Sequence, residues 1–157
     1  MAVEIERKFL LVHEGWRAQV ERSEQMSQGY LGGTIASVRV RVAGKNAWVN
    51  IKGRTLGATR LEFEYSIPVE DAAVMLRELA DGPVMTKLRH YLPLGDHVFE
   101  IDEFAGDNAG LIVAEIELES EDQEFPRPDW LGAEVTSDAR YYNVNLVRHP
   151  YTQWNDR

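Results

Sequence analysis

The sequence predicts a mainly β fold of the α+β class: eight antiparallel strands closed into a barrel, with a charged lumen inside and helices packed outside. Three observations carry this. Strand-like segments alternate between charged and apolar residues, so each owns one charged face and one apolar face. The charged faces recur in almost every strand, with acidic and basic residues segregated into rows. The amphipathic helices need an apolar sheet surface to bury against, and only the Val/Ile/Leu/Phe face offers one. With that face outside, the charged face lines the interior, and closure removes the exposed strand edges.

The elements follow in order. The first strand carries Glu4, Glu6 and Lys8 on one face, against Val3 and Ile5, with Phe9 and Leu11 beyond Arg7. His13 to Glu24 reads as a helix with Trp16 and Val20 on one side. Met26 to Leu31 is a short strand stopped by Gly32-Gly33. Ile35 to Val42 sets Val38, Val40 and Val42 against Ser37, Arg39 and Arg41, and Gly44-Lys45-Asn46 turns it into Ala47 to Lys52. Arg60 to Ile67 alternates Leu61, Phe63 and Tyr65 with Arg60, Glu62 and Glu64. Pro68 ends that strand, and Val69 to Ala80 is an amphipathic helix with Glu70-Asp71 in its first turn. Val84 to Leu92 places Lys87 and Arg89 on one face, and Val98 to Phe104 returns with Glu100 and Asp102. Leu111 to Glu119 sets Glu115, Glu117 and Glu119 against Ala114, Ile116 and Leu118, and a terminal helix runs from the N-cap Asp138 to about Arg148.

A chain of 157 residues is expected to form one domain, residues 1–157. Net charge of −9 disfavours nucleic acid and anionic membranes as partners. No apolar run reaches the roughly 20 residues of a membrane span, and nothing ahead of Glu4 reads as a leader. The lack of cysteine fits a reducing interior, so a cytoplasmic location is expected.

Burying so many charges in a dry core would cost several kcal/mol per ion. The lumen is therefore expected to be wet, mutually paired and built for a charged ligand. The basic row Lys8, Arg39, Arg41, Lys52, Lys87 and Arg89 suits phosphate oxygens. The carboxylates of the first and last strands, Glu4, Glu6, Glu115 and Glu117, suit a hard divalent cation, Mg²⁺ or Mn²⁺. Phosphate with a divalent metal is the chemistry of phosphoryl transfer. Each piece alone is ordinary for a solvated strand; the conjunction of rows across the strands is not. The four histidines form no cluster in the pattern, which argues against zinc.

Read together, Glu4-x-Glu6-x-Lys8, Gln28-Gly29-Tyr30-Leu31, Arg39-x-Arg41, Ile51-Lys52 and Arg60-x-Glu62-x-Glu64 form an ordered series. It continues through Lys87-x-Arg89, Phe99-Glu100-Ile101-Asp102-x-Phe104, Glu115-x-Glu117 and Asp138-x-Arg140-Tyr141-x-Asn143. The series resembles the CYTH family of triphosphate tunnel metalloenzymes over essentially the whole chain. The resemblance implies a linear triphosphate held in the tunnel with divalent metal. Carried over, it makes Lys8, Arg39, Arg41, Lys52, Lys87 and Arg89 phosphate binders. Glu4, Glu6, Glu115 and Glu117 become metal ligands or their neighbours, and Glu62 and Glu64 acidic positions that support the metal. Asp102, Glu119 and Arg54 are less firmly placed. Asn50 stands where the family pattern has Thr or Ser, and Tyr142 and Val144 where some members carry a lysine that plugs one tunnel mouth.

The leading expectation is a metal-dependent hydrolase of inorganic triphosphate, yielding pyrophosphate and phosphate, with Glu4, Glu6 and Lys8 central to catalysis. The alternatives are a class IV adenylyl cyclase, a nucleoside or thiamine triphosphatase, and a non-catalytic polyphosphate- or nucleotide-binding module. An outer sheet face only partly covered by helices also makes a homodimer an expectation.

Overall fold

The computed structural model describes residues 3–155; the expected domain bounds therefore include four residues, 1–2 and 156–157, outside the described range. Among the described residues nine strands form one antiparallel sheet. They are β1 (Val3–Leu11), β2 (Arg22–Tyr30), β3 (Ser37–Ala43), β4 (Asn46–Lys52), β5 (Thr59–Ile67), β6 (Met85–Leu94), β7 (His97–Phe104), β8 (Ile112–Glu117) and β9 (Leu131–Glu134). Eight close the barrel in the order β1-β5-β4-β3-β2-β6-β7-β8, returning to β1.

Closure depends on β1 pairing along both edges, β5 on one and β8 on the other, and β9 shares the edge with β5. The first residues of β1 pair with β5 (Val3 with Leu61, Glu4 with Arg60, Ile5 with Thr59), and its far end pairs with β9. The other edge pairs with β8 from Glu6–Glu117 to Leu10–Val113. β9 is an addition to the eight expected strands. Its sequence, Leu-Gly-Ala-Glu, is too short and weakly patterned to signal a strand, and pairing with the end of β1 supplies the order.

The segment expected to be a helix over His13–Glu24 is instead a 3-10 turn, Gly15–Gln19, followed by the first residues of β2. Arg22 to Gln25 lack an apolar alternation, but their backbone pairs with β6 in register, Arg22 with Tyr91 through Gln28 with Met85, and tertiary pairing overrides local preference. The helix α1 (Val69–Glu78) begins after Pro68 as expected and ends two residues early. The terminal helix is split. Asp138 caps a 3-10 turn, Ala139–Tyr141, by accepting from Arg140 N–H, and α2 (Asn143–Arg148) starts only after the extended Tyr142.

The outward apolar face is clad in two patches. Phe9, Leu92, Phe99, Ile101, Ala114 and Ile116 are buried under Trp16 and Trp130. Val40 and Ala47 are buried under α1 through Ala72, with Val69, Met75 and Leu76 beside it. Gly29 permits that approach: a Cβ there would lie 3.0 Å from Leu76 Cδ2 and 3.3 Å from Ala80 Cβ. The outer face of β5 stays uncovered, with Leu61, Phe63 and Tyr65 exposed.

A third apolar cluster occupies part of the expected charged lumen. Met85, Phe104 and Val113 alternate in phase with Lys87, Asp102 and Glu115, so they are inward residues at one end of the barrel. Tyr141, Leu146 and Trp154 of the terminal segment are buried against them. One end of the lumen is thus closed by an apolar stopper, and α2 is its outer half.

Candidate active site

The alternation of eight strands turns every second side chain toward the lumen, and most of those in its middle are charged. The result is a cavity of about 200 Å³ lined by every residue expected to serve the site: Glu4, Glu6, Lys8, Arg39, Arg41, Lys52, Glu62, Glu64, Lys87, Arg89, Glu115 and Glu117. Arg60 and Glu100 join them from the same rows. Two positions fall elsewhere. Glu119 lies past the end of β8 and is exposed, and Arg54 is exposed in the loop before β5.

Cross-strand register sets who meets whom. Lys8 faces Glu115 across β1 and β8, with Nζ 3.5 Å from the carboxylate. Lys52 faces Glu62 at 3.0 Å and also reaches Glu4 Oε2 at 3.1 Å, and Arg60 Nε donates to the same Glu4 oxygen at 3.2 Å. Arg89 is forked onto Asp102, Nε to Oδ1 at 2.8 Å and a terminal nitrogen to Oδ2 at 2.9 Å, and it reaches Glu100 at 3.1 Å. Lys87 donates to Asp102 Oδ2 at 2.7 Å, and both side chains are wholly buried. Asp102 is therefore the common anchor of Lys87 and Arg89.

Two guanidiniums are treated differently. Arg39 donates to the amide oxygen of Asn50 at 3.3 Å, and Arg41 to that of Gln28 at 2.8 Å. Among the described residues neither has a carboxylate within ion-pair distance. The amide of Asn50 is itself braced, donating to Glu64 at 2.7 Å, so the departure from Thr or Ser installs a bridge between Arg39 and Glu64. Burial, with Arg39 and Arg89 nearby, pushes Arg41 down to about 9. What Arg41 lacks is an anion.

The carboxylates show the converse. Burial, then the charges of Glu115 and Glu4, push Glu6 well above the usual carboxylate range. Burial, with Glu4, Glu100 and Glu62, raises Glu117 as well. Glu4 and Glu115, by contrast, are held low: burial opposes this, but Lys52 and Arg60 in one case and Lys8 and Arg89 in the other outweigh it. Glu6 and Glu117 face each other across β1 and β8 as carboxyls short of positive charge. Among the described residues no three acidic or histidine side chains are already gathered as a coordination shell, so the fit to a metal rests on donor chemistry. That chemistry is all oxygen, crowded and under-neutralised, which suits a hard divalent cation.

Three more uncharged polar residues, each named in the sequence without a role, act in the site. Asn143 accepts from Lys87 and from Gln28, and Tyr142 reaches the lumen from the N-terminal end of α2. Gln28 belongs to the strand motif but gives no sign, in sequence, of bonding to Arg41. Its position directly across from Arg41 on β3 is the only signal, and that needs the register.

A family model described as the CYTH domain matches residues 2–151. The inorganic triphosphatase of Acetivibrio thermocellus is 41% identical over 157 residues, covering 99% of this chain and 100% of that one. The inorganic triphosphatase of Nitrosomonas europaea is 37% identical over 151 residues, covering 92% and 96%. Among solved structures, the crystal structure of the inorganic triphosphatase NE1496 superposes with a TM-score of 0.64 at 34% identity, covering 94% of this chain and 95% of that one.

Proposed function

The chain belongs to the CYTH domain family, and from that membership we propose that it is an inorganic triphosphatase, cleaving tripolyphosphate to pyrophosphate and phosphate. One observation of this lumen carries the reading: Arg39 and Arg41 stand in a closed-ended cavity with neutral partners only, waiting for an anion. Both curated relatives bear the name of that activity over nearly their full length.

The basic residues bind and orient the phosphates. Arg39 and Arg41 offer forked donors, and Lys8, Lys52, Lys87 and Arg89 add charge that stays in place because carboxylates brace it. Fixed cations around the bridging and terminal oxygens stabilise charge that builds as the P–O–P bond breaks. The apolar stopper excludes water from one end, so the attacking water comes from the open side. The row of Glu4 and Glu6 orients that water and accepts its proton as the oxygen bonds to the terminal phosphorus. Mg²⁺ or Mn²⁺ fits the carboxylates Glu4, Glu6, Glu62, Glu64, Glu115 and Glu117, with Glu6 and Glu117 the most in need of a cation. Bound there, it supplies Lewis-acid polarisation of phosphate oxygens.

The substrate is a small triphosphate. Among the described residues no helix is long and apolar enough to cross a membrane. The uncovered outer face of β5 supports pairing with a second copy, for which light scattering at micromolar concentration is the test: a monomer mass would rule it out.

The deciding experiment assays phosphate release from tripolyphosphate and cyclic AMP formation from ATP, each with Mg²⁺ or Mn²⁺ and with chelator. Phosphate release that stops with chelator is the expected result. Cyclic AMP from ATP, or tight tripolyphosphate binding with no turnover, would overturn the reading in favour of a cyclase or a binding module.

A further inference from the structure

Resting on the triphosphatase reading, we propose that Asn143 is a positioning residue: it fixes the Lys87 ammonium directly, and the Arg41 guanidinium through Gln28, for the substrate phosphates. The geometry is a chain of single-direction hydrogen bonds. A guanidinium only donates, so Gln28 must turn its oxygen to Arg41, where Oε1 accepts from Nε at 2.8 Å. That leaves the Gln28 amide nitrogen to donate, and it does so to Asn143 Oδ1 at 2.9 Å. The same oxygen accepts from Lys87 Nζ at 3.1 Å. Gln28 and Lys87 are wholly buried, so no solvent competes for these donors. One amide oxygen thereby sets the direction of two phosphate-facing cations on different strands.

The oxygen does not belong to the barrel. Asn143 opens α2, and Leu146, three residues on and on the same side of the helix, is completely buried in the stopper. A second lumen lysine is tied to the same segment, Lys8 Nζ donating to the Tyr141 backbone carbonyl at 3.2 Å. The docked terminal segment is therefore a neutral acceptor wall against which Lys8 and Lys87 are set. It balances Asp102 and Glu115, which hold the same lysines from the strands. A neutral wall suits an anion site, because it directs the cations without cancelling them.

The test is a double-mutant cycle on the metal-loaded protein, using Asn143→Leu, Gln28→Leu and the pair, each near-isosteric and unable to relay the bond. KM and kcat are measured on tripolyphosphate, and affinity for the same anion is measured by calorimetry in chelator. Each single change is expected to raise KM about tenfold with kcat within about threefold, since the interaction serves binding. The pair is expected to be no more than about threefold worse than the more severe single change, because both cut one relay. An unchanged KM in Asn143→Leu, a loss confined to kcat, or single effects that multiply would overturn the proposal. If Asn143→Leu lacks a cooperative melt, Gln28→Leu is judged by the same KM criterion. If the parent releases no phosphate the hydrolase reading falls, and the calorimetric cycle still decides the role of Asn143.

Discussion

Replacing Asp102 with Asn tests whether the lumen is an electrostatic balance or merely a polar cavity. The carboxylate is wholly buried and takes three donors: Lys87 Nζ at 2.7 Å and two Arg89 nitrogens at 2.8 and 2.9 Å. Asn keeps the shape and one acceptor oxygen but leaves two buried cations facing an amide. Removing one partner from a buried ion pair costs about 3–5 kcal/mol, and the retained acceptor places this change at the low end, about 3 kcal/mol. For a chain of this size each kcal/mol is worth about 2–4 °C, so the melting temperature should fall by about 6–12 °C at neutral pH. A second readout follows from Lys87, which burial already pushes well below the ordinary lysine range and which only Asp102 and, less, Glu115 raise. In the variant, Lys87 is depressed further, so the folded state binds fewer protons than the unfolded one and stability rises with pH below the ordinary lysine value. The deficit should therefore shrink as pH is raised from neutral toward the ordinary lysine value. Thermal melts followed by circular dichroism across that range are the assay. A melting temperature within about 3 °C of the parent at pH 7 would refute the reasoning.

Other outcomes follow from the same geometry. Burial would raise Asp102, but Arg89 and Lys87 prevail and hold it at about 2, against an ordinary 3.8. A depressed carboxyl stabilises above its unfolded value and ceases to as pH falls through its folded one, so about 2 kcal/mol should vanish between about pH 4 and 2. Urea unfolding of parent and Asp102→Asn should converge over that window; parallel curves would contradict it. Arg41→Lys loses the bond to Gln28 and the forked face, and should raise KM for tripolyphosphate about tenfold while kcat moves less, by steady-state kinetics. Glu4→Gln frees Lys52 and Arg60 from their shared carboxylate and should remove most turnover while the melt stays cooperative. Gly29→Val drives methyl groups into Leu76 and Ala80 of the α1 region and should cost about 1–3 kcal/mol in denaturant unfolding, with activity retained at low temperature.

The charged rows were legible because strand alternation is local: once Glu4-x-Glu6-x-Lys8 is extended, its phase is fixed, and the same holds for Arg39-x-Arg41 and Lys87-x-Arg89. Closure was legible from eight short-turned antiparallel strands that would otherwise leave exposed edges, and the inward direction of the charged face from the helices' need for an apolar surface. What could not be read depends on distant partners. Arg22 to Gln25 are strand only because β6 lies alongside. β9 exists only because β1 runs on past β5, which pairs no further than Ile5, and so offers a free edge at Phe9 and Leu11. Met85 shares the face of Lys87 in the sequence, but the stopper was hidden because Phe104 and Val113 look like ordinary core residues until their phase is compared with Asp102 and Glu115. Gln28 and Asn143 lie far apart in sequence, and their meeting is set by the docking of α2, which no local periodicity encodes.

The seam between β1 and β5 has a consequence for how the chain acquires its form during synthesis. β1 is made before its partners: Glu4 has none until Arg60 is made, and Glu6 and Lys8 wait for Glu117 and Glu115. Until β8 is made, β1 is an incompletely paired edge, the kind of segment that recruits other chains into aggregates. Its alternating glutamates and lysine resist such recruitment, since a stray strand would have to desolvate them without their proper counter-charges. The residues that serve the finished lumen thus guard the nascent chain until the ring can shut.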